Sequence, residues 1–162
     1  MTDHDEEQSH VIERLGELGL TLPVPSRPAA NYRPYRLAGT MLHIAGQLPL
    51  VHNVPKYVGE VPTTLTIEDA IDAARLCALN LTAQIGAALD GEFGRVEAIL
   101  KINGFIRSPA EFTSHARIMD GASDLLAALF GLRGAHARTS VGVASLPRGA
   151  PIELDAIVAV RA

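Results

Sequence analysis

Apolar residues recur at steps of three and four between positions 67 and 88: Ile67, Ala70, Ile71, Ala74, Cys77, Ala78, Leu81, Ile85 and Ala88. That spacing lines one face of a helix of about six turns. Thr66 stands at its N-cap, Asp69 takes the capping-box position, and Gly91 and Gly94 end it. Alanine dominates the stripe, which permits close approach to a sheet. A second helix is predicted to start at Ser108-Pro109-Ala110-Glu111, with a cap, a first-turn proline and a glutamate. Phe112, Met119, Ala122, Leu126, Leu129 and Phe130 form its buried face. Gly121 is placed to bend it, and Gly131 and Gly134 close it. Val11, Ile12, Leu15 and Leu18 give a short helix stopped by Gly19, with residues 1–9 expected to fray.

The remaining pattern is that of strands and breakers. Tyr35-Arg36-Leu37 and Met41-Leu42-His43-Ile44 flank Gly39 as a hairpin. Prolines at 23, 25, 28 and 34 keep residues 21–34 irregular, and Pro49, Pro55, Gly59 and Pro62 make residues 49–64 a long loop. Alternation over residues 96–107 predicts a strand with Val96, Ala98, Leu100, Ile102 and Ile106 on one face. Glu97, Lys101, Asn103 and Arg107 lie on the other. Residues 137–144 and 152–160 are two more strands. They are joined by a turn at Leu146-Pro147-Arg148-Gly149 and therefore run antiparallel. After the first short helix the order is ββ–α–β–α–ββ. Two helices, each with one apolar face, must cover one side of a mixed sheet. The uncovered, partly apolar side is expected to be a subunit interface.

Composition narrows the function. The chain of 162 residues has the length of one domain and can bury a core without a staple. It carries 14 Lys+Arg against 18 Asp+Glu, a formal net charge of −4, with its lysines limited to Lys56 and Lys101. That balance disfavours nucleic acid as a partner. No apolar run approaches the roughly 20 residues of a membrane span. The acidic start does not resemble a signal peptide, and Cys77 is the single cysteine. A cytoplasmic location is the resulting expectation. Six histidines show no tight ligand spacing, so no metal is expected. Cys77 falls on the helical stripe as a buried thiol. Gly131-Leu132-Arg133-Gly134 lacks a phosphate-loop pattern.

Candidate chemistry concentrates in Arg138-Thr139-Ser140-Val141-Gly142-Val143. Alternation separates Thr139, Val141 and Val143, suited to the helix-covered core, from Arg138, Ser140 and Gly142 on the opposite face. Small neighbours leave room around Arg138, whose planar guanidinium can hold a carboxylate in two hydrogen bonds. The other reading of Arg138 is an ion pair with an acid on a neighbouring subunit.

Several motifs occur in a definite order: Tyr32, Gly39, Ala45-Gly46-Gln47-Leu48-Pro49, Asn80, the strand from Val96, Ala137-Arg138-Thr139, Leu146-Pro147 and Glu153. Together they resemble the Rid (reactive intermediate deaminase) family, also called YjgF-like or endoribonuclease L-PSP. The likeness covers residues 29–162 as the Rid-like domain, and residues 1–28 form an N-terminal extension. The resemblance implies an α+β, chorismate-mutase-like two-layer sandwich, a mixed sheet with two long helices on one face, assembled as a homotrimer. It implies hydrolytic deamination of reactive enamines and imines, of the 2-aminoacrylate or 2-iminobutyrate type, to 2-keto acids and ammonia. The cleft lies between subunits, and no cofactor or metal takes part.

By position, Arg138 matches the arginine that binds the substrate carboxylate, and Glu153 matches the acid that holds or activates water. Tyr32 lines the cleft, and Gly46 falls where backbone approaches the ligand. Ser140 replaces a position often held by Cys, whose carbonyl helps place the water. Glu153 is alternatively a solvated or interface salt-bridge residue, and Tyr32 ordinary interface packing. Departures are Ala45 for Ser, Asn31-Tyr32 for Gly-Pro-Tyr, Asp120 for Asn, and a longer second helix. Two rival functions remain: a non-catalytic trimer that binds small carboxylates, which also needs Arg138, and a ribonuclease. The acidic balance and the absence of paired His or Lys clusters disfavour the ribonuclease.

Overall fold

Thr66 closes a full capping box. Its hydroxyl accepts from the Asp69 amide at 3.0 Å, and the Asp69 carboxylate accepts from the Thr66 amide at 3.0 Å. From this start a helix runs through Ile67–Ala88, as the stripe predicts. The computed structural model describes residues 3–28 and 30–162, with side chains from His10 onward. An N-terminal helix, α1 (Asp3–Glu17), precedes the long helix α2 (Ile67–Ala88), and α3 spans His115–Phe130. The strands are β1 (Tyr35–Ala38), β2 (Met41–Gln47), β3 (Leu50–Val51), β4 (Val54–Pro55), β5 (Val96–Arg107), β6 (Ala137–Val143) and β7 (Ile152–Val160).

Five strands form one sheet in the order β1-β2-β7-β5-β6, with β5 and β6 parallel and the other pairs antiparallel. Strands β6 and β7 run in opposite directions as expected, but β5 separates them. Helices α2 and α3 pack together, and α2 lies against β7 and β2 on one face. Alternate residues of β7, from Ile152 through Leu154, Ala156 and Val158 to Val160, are buried there with Cys77, Leu81, Ile85, Leu125 and Leu126. This is the mixed α+β arrangement foreseen, with two long helices on one face. Gly121 serves contact rather than bending. A Cβ there would strike the backbone oxygen of Ile71 and sit 2.9 Å from its Cγ2, so the glycine lets α3 close onto α2.

Several local expectations are corrected. Residues 3–9 continue α1 rather than fray, whereas Met1 and Thr2 lie outside the described residues. The loop at 49–64 contains the β3–β4 hairpin, turned by His52 and Asn53 at φ 49° and 63°. On β5 the buried positions are Val96, Ile99, Ile102, Gly104 and Ile106, whereas Leu100 is exposed and Ala98 only half-buried. Register shifts between Val96 and Ala98 and between Ile99 and Lys101 reset the alternation. Helix α3 begins at His115, not at Ser108. The amide of Ser108 still donates to Val143 O at 3.3 Å and its hydroxyl to Ile106 O at 3.4 Å, so the segment remains sheet-bonded.

Candidate functional site

Strand β6 is an edge strand, and its faces are the reverse of the sequence expectation. Its parallel register sets Arg138 beside Ile102, Ser140 beside Gly104 and Gly142 beside Ile106, all on the helix-covered side. Thr139, Val141 and Val143 lie on the open face with Asn103, Phe105 and Arg107, and Lys101 Nζ donates to Thr139 Oγ1 at 2.5 Å. The β-branched trio resembles a core set, but small Ser140 and Gly142 are what α3 requires. A Cβ on Gly142 would lie 2.8 Å from both His115 Nε2 and Ser108 Oγ. A cavity of about 300 Å³ opens there, lined by Ser108, Pro109, His115 and Gly142, although Arg138 does not line it.

Arg138 reaches α3. Its Nη1 donates to Asp120 Oδ1 at 3.0 Å and to Ser123 Oγ at 2.9 Å, and Nη2 donates to Ala116 O at 3.1 Å. The anchoring acid belongs to the same chain rather than to a neighbour. Three of the five guanidinium N–H groups are thereby used, which leaves Nε–H and one on Nη2. Free N–H groups on Nε and Nη2 are donors that a further carboxylate can use. The Arg138 side chain keeps 22% exposure at the sheet margin, and Asp120 keeps 59%. Asp120, at the position where the family resemblance expects Asn, therefore balances the arginine's charge and orients it.

Two further residues, Ser123 and His136, complete this cluster. Ser123 Oγ lies 2.9 Å from His136 Nε2, and His136 Nδ1 lies 2.6 Å from Gly134 O. Nδ1 therefore carries the proton toward the carbonyl, and Nε2 accepts from the serine hydroxyl. The serine oxygen in turn accepts from Arg138. Burial, with the nearby Arg138 charge, lowers the His136 pKa despite the Gly134 bond, so the ring is neutral at pH 7. The signal in the sequence was spacing: His136, just before β6, stands two positions from Arg138, so on extended backbone the two share a side.

Glu153 belongs to a second cluster on the open face. It pairs with Phe105 across β5–β7 and packs on Gly46 of β2, where a Cβ would overlap its carboxyl. This explains the glycine, because the bulge between Ile44 and Gln47 brings backbone against the acid. Burial, then the neighbouring Asp155 charge, raises the Glu153 pKa from its ordinary value. Asn103 Nδ2 donates to Asp155 Oδ1 at 2.7 Å. Arg107 shares this face, and its Nε is buried without a partner among the described residues.

Thus Gly46 meets Glu153, and Ser140 shares the face and strand of Arg138, but the two clusters sit on opposite sides of the sheet. Tyr32, half-exposed, precedes β1 at the far edge. Four strand spacings, roughly 19 Å, separate that edge from β6. One chain does not bring Tyr32, Glu153 and Arg138 to a single ligand. Among the described residues no three His, Cys, Asp or Glu side chains gather as a metal site, and no helix is long and apolar enough to cross a membrane.

Comparisons with known proteins agree with this architecture. The family model described as YjgF/chorismate_mutase-like, putative endoribonuclease, matches residues 12–151. Protein TCP17 of Trypanosoma cruzi is 42% identical over 149 residues, covering 91% of this chain and 92% of that protein. The crystal structure of Atu1372 from Agrobacterium tumefaciens, a protein of unknown function, superposes with a TM-score of 0.92. It is 40% identical, over 98% of this chain and 97% of that one. E. coli TdcF, solved with bound serine, superposes at 0.61 with 25% identity, over 88% and 96% of the two chains. On the family model and this 42% identity, the chain belongs to the YjgF/chorismate mutase-like family.

Proposed function

We propose that this protein hydrolyses small enamine or imine acids, of the 2-aminoacrylate or 2-iminobutyrate class, to keto acids and ammonia. The observation that carries the reading is that Arg138 keeps N–H donors on Nε and Nη2 without a partner among the described residues, on a strand with no neighbour on its outer side. A carboxylate held there fixes the imine carbon beside it. The two clusters face opposite sides of the sheet, so a complete site takes Arg138 from one copy and the Gly46–Glu153 cluster or Tyr32 from another. A homotrimer built through the open face supplies that arrangement. Serine bound to TdcF fits the same chemistry, being a small amino acid with a carboxylate.

In the proposed reaction, Arg138 orients the acid and Glu153, as carboxylate, takes a proton from the attacking water. Addition of water to the imine carbon gives a carbinolamine. Its nitrogen takes up the proton and leaves as ammonia as the carbonyl forms. The raised Glu153 pKa makes its carboxylate a stronger base than an ordinary one. The test is ammonia release from 2-aminoacrylate generated in situ. Acceleration over spontaneous hydrolysis supports the enzyme. Saturable binding without acceleration supports a carboxylate-binding protein instead. That second reading is favoured by one observation, that in a single chain the titratable side chains described beside Arg138 are neutral His136 and paired Asp120.

Two predictions concern the open-face cluster. Glu153→Gln is expected to abolish the rising limb of the pH–rate profile while preserving ligand binding. The folded carboxyl titrates above its unfolded value, so the fold holds this proton more tightly than the unfolded chain does. Stability is then highest below the unfolded pKa and falls as pH rises through the folded one. Glu153→Gln removes that loss, so thermal melts should show a gain over wild type at about pH 8 that is absent at about pH 4. Gly46→Ala is expected to displace the Glu153 side chain, the flexible group that a new Cβ meets. Its melting temperature should stay within a few degrees while kcat falls by about tenfold or more.

A further inference from the structure

Residues 21–27 run beside α2 without regular structure. One point is pinned: Gln84 Nε2 donates to Ser26 O at 2.9 Å, and Ser26 Oγ donates to Gln47 Oε1 at 3.4 Å. Between this strap, the β3–β4 turn and the Leu76/Leu79 side of α2 lies a cavity of about 690 Å³. It shares no residue with the Arg138 or Glu153 clusters. Its walls are apolar, from Leu22, Pro23, Pro25, Leu50, Leu76 and Leu79. The strap does not collapse onto α2, because Pro23 and Pro25 fix their φ angles and Ser26 is tied. The volume falls within the range of small-molecule sites, which are apolar with a few convergent polar groups.

Two polar groups converge here. Asn80 donates both Nδ2 hydrogens, to Leu48 O at 2.9 Å and Leu50 O at 3.1 Å. Its Oδ1 meets no donor among the described residues. Arg27 lines the cleft, is exposed, and makes no hydrogen bond or ion pair among the described residues. The two neighbouring side chains of the turn, His52 and Asn53, carry no negative charge at neutral pH. An unpaired guanidinium beside an apolar chamber complements an anion with a hydrocarbon body.

We infer that the strap cleft is a second binding site, for an amphipathic monocarboxylate whose hydrocarbon part fills the chamber and whose carboxylate meets Arg27. The proposal does not depend on the deaminase reading. Its test is calorimetric titration of the native assembly with sodium decanoate, with sodium butyrate and Arg138→Ala as controls. Expected is one saturable decanoate site per chain, retained in Arg138→Ala, with butyrate at least about tenfold weaker. Arg27→Gln should weaken decanoate by about tenfold or more. Val51→Trp, at an exposed wall position, should abolish binding, and Leu79→Phe provides a second filling variant. No saturable binding overturns the proposal, and so would a neighbouring copy covering the cleft. Binding lost in Arg138→Ala, or unchanged in both filling variants, places decanoate elsewhere and overturns it too.

Discussion

Arg138→Ala is expected to lower kcat/KM for ammonia release by at least about 100-fold. Two hydrogen bonds between charged groups, each contributing about 1.5 kcal/mol or more, together correspond to roughly that factor. The measurement is the initial rate at limiting 2-aminoacrylate, with the spontaneous rate subtracted. Arg138→Lys keeps the charge but loses the planar fork, so a smaller loss is expected. Asp120 makes the result diagnostic. In a purely architectural ion pair, Asp120→Asn and Arg138→Ala both loosen α3 from β6, and neither improves ligand binding. In a carboxylate receptor, Asp120→Asn removes the competing anion 3.0 Å from Nη1 while keeping an oxygen acceptor, so KM should fall. A rise in KM for Asp120→Asn would count against the receptor.

The largest expected stability effect is at Gly121. Glycine to alanine inside a helix ordinarily stabilises by about 1 kcal/mol. Here the sign reverses, because the new Cβ meets the Ile71 carbonyl, which belongs to the α2 backbone and cannot rotate away. Helix α3 must shift outward, disturbing Ile118, Met119, Ala122 and Leu125, all buried. Overpacking of this kind costs about 3 kcal/mol, which corresponds to a fall in melting temperature of roughly 6–12 °C in a chain this size. Gly16→Ala in α1 is the internal control. Nothing lies within 4 Å of a Cβ there, so its melt should be unchanged or slightly raised. A Gly121→Ala variant that melts with wild type would mean that the helices are not in contact at Ile71.

Helix α2 was legible because its signals are local: Thr66 and Asp69 bond each other, and the stripe repeats within one element. The β6–β7 turn at Pro147 and the buried Cys77 were readable for the same reason. The facing of β6 was not, because alternation gives two sets of residues and leaves open which set meets the helices. Thr139, Val141 and Val143 have core-like shapes, but the decisive fact is the space His115 and Ser108 require above Gly142. Strand β5 misled differently, since two register shifts reverse the phase partway along it. Arg138 and Glu153 were singled out from sequence together, whereas the fold sets them on opposite faces. The Ser123–His136 bond joins a helix to a strand margin 13 positions away and left only the His136–Arg138 spacing as a trace.

The place of β7 bears on how the molecule is assembled. It comes last among the strands in chain order yet occupies the middle of the sheet, between β2 and β5. Until it slots in, those two strands have no common partner, and the apolar side of α2 lacks most of its floor. Formation of the sheet is therefore a late, all-together event that joins residues more than 100 positions apart along the chain, such as Leu42 and Val158. Topologies of this kind acquire their structure slowly. A half-made β2/β5 gap would meanwhile present open ladder edges, which any extended segment could occupy in place of the proper strand.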